Sequence, residues 1–173
     1  MKLDYLVRGT PGHPSHPPLT DATIGIYTFA TIAAVLSALG VAEDAAAQGW
    51  ALALVIGLIA SVPTSLTGLL DWLKIEGGTP LKRTATSHLL AMLAATGTFL
   101  VTAIVGYSEG MDGVVTSTGL ILTLVAFGLL TLGGWLGGAI VFGHGMRVLG
   151  LVDEPTHRVV SPVPHPEEKR AES

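Results

Sequence analysis

The stretch VVTSTGLILTLVAFGLLTLGGWLGGAIVFG, residues 114–143, contains no Asp, Glu, Lys, Arg or His. Three further stretches share this property: residues 22–42, 45–70 and 89–108. A helix of about 20 apolar residues crosses the hydrocarbon core of a bilayer, and only the helical state satisfies the backbone polar groups of such a segment in lipid. The sequence therefore predicts an all-α fold, a bundle of four transmembrane helices. We expect these helices at about residues 21–42, 47–73, 86–107 and 114–143.

Composition agrees with this fold class. Charged residues make up 13% of the 173 residues, against about 25% in soluble domains. The chain divides into a polar N-terminal segment (residues 1–19), a four-helix membrane domain (residues 20–149) and a proline-rich tail (residues 150–173). The tail is charged, so we expect it to be poorly ordered unless a partner holds it.

Several functional classes are disfavoured. With no cysteine in the chain, disulfides, thiolate metal sites and protein-held iron–sulfur clusters are excluded. No basic cluster lies beside aromatic residues, as nucleic-acid binding would require. The N-terminus has no apolar region followed by a cleavage site, so we expect no removable signal peptide. The middles of the spans lack ionisable side chains, which argues against an ion pump.

Local signals suggest where two helices begin or bend. Thr20 or Asp21 is expected to cap the first helix, with Pro17 and Pro18 preventing an earlier start. Pro63 lies inside the second span, where it removes one backbone donor and predicts a kink.

Charge distribution predicts the orientation in the membrane. All Lys and Arg residues fall on one side of the four predicted spans: Lys2, Arg8, Lys74, Lys82, Arg83, Arg147, Arg158, Lys169 and Arg170. The loops on the other side carry only acidic residues: Glu43, Asp44, Glu109 and Asp112. The positive-inside rule then places both termini in the cytoplasm.

Potential ligand residues gather on that same cytoplasmic side. They stand before, or at the ends of, the four spans: His13, His16, Asp21, Asp71, His88 and His144. His157 and His165 belong to the tail and are given no role. Because four spans return the chain repeatedly to one side, side chains distant in sequence can meet there.

Each of these residues also has a purely structural interpretation. Asp71 ends a helix, where the macrodipole disfavours a negative charge. It can form a salt bridge with Lys74, Arg83 or Arg147, orient a ligating histidine, or bind a metal directly. Asp21 can be a helix cap or a ligand. His13 and His16 can be ligands or part of a stiff polar lead-in to the first helix. The glycines of GGWLGG can admit a flat cofactor or another subunit.

Four motifs resemble a bacterial four-helix membrane family classed as a domain of unknown function. They are HPPLTDATIGIYTFA, PTSLTGLLDW, the isolated His88 and GGWLGGAIVFGHGMRV. The resemblance runs from about residue 12 to residue 149. It implies the four-helix fold and residence in the bacterial cytoplasmic membrane. Since actinobacterial relatives often carry a fused Rieske domain, it also implies a link to membrane electron transfer.

The sequence departs from this family at two positions and in its domain content. Thr23 stands where relatives have a proline, and Ala139 stands where they have a histidine. These 173 residues contain no cysteine, so they hold no Rieske domain. If the missing histidine is a cofactor ligand in relatives, a haem or metal role is weakened here.

Two functions remain open. The first is a non-catalytic accessory subunit of a larger respiratory or electron-transfer complex, packing against other membrane subunits or a second copy of itself. The alternative is a redox protein with haem b or a divalent metal at the cytoplasmic face. His88 and His144 are then the expected axial pair, with His16 as substitute. The metal ligands would be drawn from His16, His88, His144, Asp71 and Asp21. An enzyme acting on lipid or quinone has no visible nucleophile–base pair to support it.

Overall fold

The computed structural model describes residues 3–10 and 12–161, and most of them are helical. A short helix α1 (Leu3–Arg8) precedes an antiparallel hairpin of two-residue strands, β1 (Gly9–Thr10) and β2 (His13–Pro14). Four long helices follow: α2 (His16–Ala38), α3 (Glu43–Leu73), α4 (Pro80–Met111) and α5 (Ser117–Gly138). The last continues as a π-helical turn (Ala139–Gly143), and a short helix α6 (Thr156–Val159) lies beyond it. The part of the predicted tail that contains His165 lies outside the described residues.

The four long helices confirm the predicted fold class. Together with the π-helical turn, they are 23, 31, 32 and 27 residues long, and each is apolar enough to cross a membrane. At 1.5 Å per residue, even the shortest extends about 34 Å, which exceeds a hydrocarbon core of roughly 30 Å.

Helix α2 begins earlier than the sequence predicts. Its N-cap is Ser15, and Pro17 and Pro18 lie inside its first turn. The prediction that Thr20 or Asp21 caps this helix is therefore wrong. Proline is tolerated in a first turn, where the backbone N–H has no helical partner. The Thr20 hydroxyl instead donates to the carbonyl of His16 at 3.0 Å.

Helix α4 also starts before its apolar run. Thr79 is its N-cap and accepts a hydrogen bond from the backbone N–H of Lys82 at 3.1 Å, and Pro80 occupies the first turn. His88 consequently lies about two turns inside the helix rather than in its first turn, where the expected start at about residue 86 would place it. In α3 the helix continues through Pro63 without interruption.

The helices pack as two closely associated pairs. Helix α2 packs along α3, α4 packs along α5, and α3 joins the pairs through α4. The contact between α2 and α5 is the least extensive of the four neighbouring contacts. Helices α2 and α4 therefore stand on one diagonal of the bundle.

Buried aromatic residues pack inside the bundle. The rings of Tyr27 and Phe99 stack with centroids 3.9 Å apart. Trp50 is fully buried, and its indole N–H donates to the hydroxyl of Thr123 at 3.0 Å. A Cβ at Gly106 would lie 2.5 Å from this indole, so glycine is what allows the close approach.

One end of the bundle collects the residues singled out in the sequence. We call it the histidine end: it comprises the starts of α2 and α4 and the ends of α3 and the π-helical turn. The N-terminal segment packs over it, since α1 contacts α3 and the Arg8 side chain donates to the carboxylate of Asp71 in the last turn of α3 at 2.8 Å. Asp44 and Gly113 lie together at the opposite end.

Candidate functional site

A cavity of about 480 Å³ lies within the histidine end, lined by residues from α2, α3, α4 and α5. Its lining is mostly apolar, with a few polar groups, among them the imidazoles of His16 and His88. Small-molecule and cofactor sites have volumes of about 300–1,000 Å³ and this mixture of surfaces. The cavity thus has the size and the surface of a site that can hold a ligand.

His16 reaches the cavity from the first turn of α2. Its Nδ1 lies 3.1 Å from the carbonyl oxygen of Thr64 and 3.2 Å from the hydroxyl oxygen of Thr67. A carbonyl can only accept, so neutral His16 carries its proton on Nδ1 and a lone pair on Nε2. Nε2 lies 3.5 Å from the Thr20 hydroxyl, too far for a good hydrogen bond, and that hydroxyl already donates to the His16 carbonyl. The Nε2 lone pair is therefore open to a ligand.

The same arrangement holds for His88 on α4. Its Nδ1 donates to the carbonyl oxygen of Gly133 at 2.7 Å, and Nε2 makes no hydrogen bond within residues 3–10 and 12–161. Both imidazoles are thus anchored through Nδ1 to the backbone of the adjacent helix, and each leaves Nε2 unengaged.

Glycines make room for these rings. A Cβ at Gly68 would lie 2.7 Å from Cε1 of His16, and one at Gly137 would lie 3.3 Å from Cε1 of His88. Gly134 and Gly138 also line the cavity. A Cβ at either position would have no neighbour within 4 Å among the described residues, apart from the adjoining helix backbone. Three glycines of GGWLGG therefore give α5 a flat backbone surface at the cavity.

A charged cluster lies at the same end. Asp71 is buried in the last turn of α3 and accepts from two arginines. Arg8 contacts Oδ1 through Nε at 2.8 Å and through Nη2 at 2.7 Å, and Nη1 of Arg147 lies 3.1 Å from each carboxylate oxygen. These cations compensate the unfavourable position of the carboxylate at a helix C-terminus. Arg147 was among the partners predicted for Asp71, whereas Arg8 was not.

Among the residues that the structure describes, the remaining predicted ligands form no metal-binding group with the two imidazoles. His144 is exposed, and its Nε2 lies 3.1 Å from the hydroxyl oxygen of Thr84. His13 is exposed on β2, and exposed Asp21 lies at the cavity wall. In the described part of the chain, no three His, Asp or Glu side chains are grouped so that they could hold a metal ion. The cavity therefore brings together His16 and His88, with Asp71 and Asp21 also in its lining and His144 outside it.

A known protein family matches most of the chain. The family described as Predicted membrane protein (DUF2231) matches residues 12–150, in agreement with the extent of the resemblance found in the sequence. No curated protein and no solved structure matches the chain.

Proposed function

This chain belongs to the DUF2231 family of predicted membrane proteins, and we propose that it is a membrane redox protein that binds a b-type haem between His16 and His88. The observation that carries the proposal is that the two imidazoles are hydrogen-bonded in the same way. Each comes from a different helix of one diagonal, each has Nδ1 fixed on a backbone carbonyl, and each has Nε2 unengaged at the same cavity.

Anchoring of this kind is what an axial histidine requires. Ligating histidines donate their second ring N–H to a carbonyl or carboxylate, which fixes both tautomer and ring orientation. In His16 the acceptor is Thr64 on α3, and in His88 it is Gly133 on α5. Each closely packed helix pair therefore orients one ligand, and the cavity lies between the two pairs.

The shape of the cavity supports a flat ligand. The backbone at Gly134 and Gly138 allows a planar group to approach α5 without meeting a side chain. When bound, haem supplies reversible one-electron chemistry at its iron, and the apolar surroundings influence its potential. In this chain His16 and His88 would hold the iron, and the mostly apolar lining would limit the access of water.

A two-ligand cofactor fits these side chains better than a bare metal ion. Structural zinc takes four protein ligands and catalytic zinc three, and the described residues bring no such set together. The expected axial pair of His88 and His144 is accordingly revised to His16 and His88 in this proposal.

Visible spectroscopy tests the proposal. Protein purified in mild detergent, and reconstituted with ferric haem, should show a Soret band that sharpens and shifts on reduction, as a six-coordinate haem does. His16→Ala and His88→Ala should each lose or shift this band. His144→Ala is the matched control and should keep it, because His144 lies outside the cavity lining. Protein that binds no haem, or a His144→Ala variant that alone loses the band, contradicts the proposal.

A second candidate function is supported by the outer surface of α5. Trp135 is 79% exposed and lies outside the cavity lining, whereas Phe142 in the following π-helical turn is 89% exposed and also borders the cavity. Such aromatic side chains, close to glycines that permit close helix approach, suit packing against another membrane subunit or a second copy of this chain. The protein would then be an accessory subunit of an electron-transfer complex.

Native electrophoresis from mildly solubilised membranes should show a complex well above the monomer mass, and Trp135→Ala should reduce the amount of this complex. A monomer in both cases argues against this function.

The proposed setting is the bacterial cytoplasmic membrane with both termini in the cytoplasm. In the structure Arg8, Lys74, Lys82 and Arg147 lie at the histidine end, while the opposite end has Glu43 and Asp44 in the first turn of α3 and Asp112 just after α4. The positive-inside rule then supports a cytoplasmic position for the histidine end.

A further inference from the structure

We propose that Arg147 binds a carboxylate of the ligand held in the cavity, so that the site selects an apolar planar body with an acidic edge. This inference rests on the proposed haem function and extends it to the specificity of the site. Ferric protoporphyrin IX has this chemistry, because its two propionates lie on one edge of an apolar macrocycle.

The hydrogen bonds of Arg147 leave one edge of its guanidinium available. Nη1 donates to the Arg8 carbonyl at 3.0 Å and to both oxygens of Asp71 at 3.1 Å. Nη2 has only a long contact of 3.5 Å to the Gly9 carbonyl, and Nε has no partner within the described residues. The edge formed by Nε and Nη2 is the one that a guanidinium uses for bidentate binding of a carboxylate.

Arg147 also has the right position. It lines the same cavity as His16 and His88, and it follows the π-helical turn at the membrane edge. Its side chain is 22% exposed, against 10% for Asp71. A ligand with its apolar body between the helix pairs would thus present its acidic edge toward Arg147 and the aqueous side.

Two features hold this arginine in place. Asp71 and the Arg8 carbonyl both accept hydrogen bonds from Nη1. These contacts fix the orientation of the planar guanidinium, and with it the direction of the edge formed by Nε and Nη2. Its backbone has φ of +60°, a left-handed conformation that non-glycine residues seldom adopt. Such conformations persist where the surroundings enforce them, and they concentrate at ligand-binding sites.

A titration with two ligands isolates the carboxylate contact. The full-length protein without haem, in detergent, is titrated with ferric protoporphyrin IX and with its dimethyl ester, following the Soret band. The ester keeps the macrocycle and the iron but lacks both negative charges. We expect Arg147→Gln to weaken binding of the acid about tenfold, as loss of a charge-assisted hydrogen bond does, and to leave binding of the ester unchanged.

Matched variants control for indirect effects. Arg158→Gln also removes a positive charge after the last span, but its guanidinium is exposed and paired with Glu154 at 3.1 Å, so neither ligand should bind differently. Arg147→Lys keeps the charge without the planar fork and should give an intermediate loss for the acid alone.

The outcomes separate this inference from the function on which it rests. Equal weakening of acid and ester by Arg147→Gln, or no weakening of either, overturns the role of Arg147 while haem binding stands. Wild-type protein that binds neither ligand overturns the proposed function and the role of Arg147 together.

Discussion

The guanidinium of Arg147 donates to both carboxylate oxygens of Asp71, at 3.1 Å each. Asp71 ends α3, Arg147 follows the π-helical turn, and Arg8, which shares the same carboxylate, ends α1. One acidic side chain thus joins three segments that are distant in sequence, and it does so next to the cavity. The contact both stabilises the histidine end and positions the N-terminal segment over it.

Replacing this acid should destabilise the protein strongly. Asp71→Asn keeps the size of the side chain but leaves two largely buried guanidiniums without their anion, at a cost of about 3 kcal/mol in the free energy of unfolding. Thermal unfolding in detergent, without added haem, measures the effect. Glu154→Gln is the control, since it breaks an exposed ion pair worth at most about 0.5 kcal/mol. Equal melting temperatures for the two variants would show that the Asp71 cluster contributes little.

Filling the cavity from α5 should prevent ligand binding without unfolding the protein. Gly134→Leu introduces a side chain into space that no described neighbour occupies, on the wall of the cavity. Gly128→Leu is the matched control, because Gly128 is on the same helix, has equally open surroundings and does not line the cavity. Haem titration should show loss of binding for the first variant and normal binding for the second. Similar binding by both variants would place the ligand elsewhere.

Alanine substitutions at two glycines of α4 should have opposite effects on the stability of the fold. At Gly106 the new Cβ would meet the buried indole of Trp50, so Gly106→Ala should destabilise the fold by about 1–3 kcal/mol through overpacking. At Gly97, among the residues described, no neighbour outside the helix lies within 4 Å, so Gly97→Ala should be neutral or stabilising by up to about 1 kcal/mol through helix propensity. Thermal unfolding of the two variants measures both changes in stability. A stable Gly106→Ala protein would mean that the indole can move.

The fold could be predicted from the sequence because four uncharged runs of this length are expected to cross a bilayer as helices. The helix starts could not be placed as well. Pro17 and Pro80 suggest a boundary, yet a first turn tolerates proline, so α2 and α4 each begin about one turn or more before the apolar run. That difference carries His88 into the body of α4 and His16 onto the first turn of α2.

The composition of the site was predictable only in part. The sequence indicates that the histidines share one end of the bundle, but the direction of each ring depends on helix rotation. His16 and His88 turn toward the cavity because Thr64 and Gly133 accept from their Nδ1 atoms, whereas His144 turns to Thr84. The contact of Arg8 with Asp71 spans 63 residues and depends on how the N-terminal segment folds back. Local sequence patterns do not contain that information.

Single cysteines can report the orientation of the bundle, because the chain has no cysteine of its own. Glu76→Cys lies in the exposed loop between α3 and α4 at the histidine end, and Asp112→Cys lies in the exposed loop at the opposite end. If the cationic histidine end faces the cytoplasm, as the positive-inside rule requires, a membrane-impermeant maleimide added to intact cells should label Asp112→Cys and spare Glu76→Cys. Permeabilised cells should label both, which controls for accessibility. The reverse pattern in intact cells would place the histidine end, and with it the proposed haem site, on the outer face of the membrane.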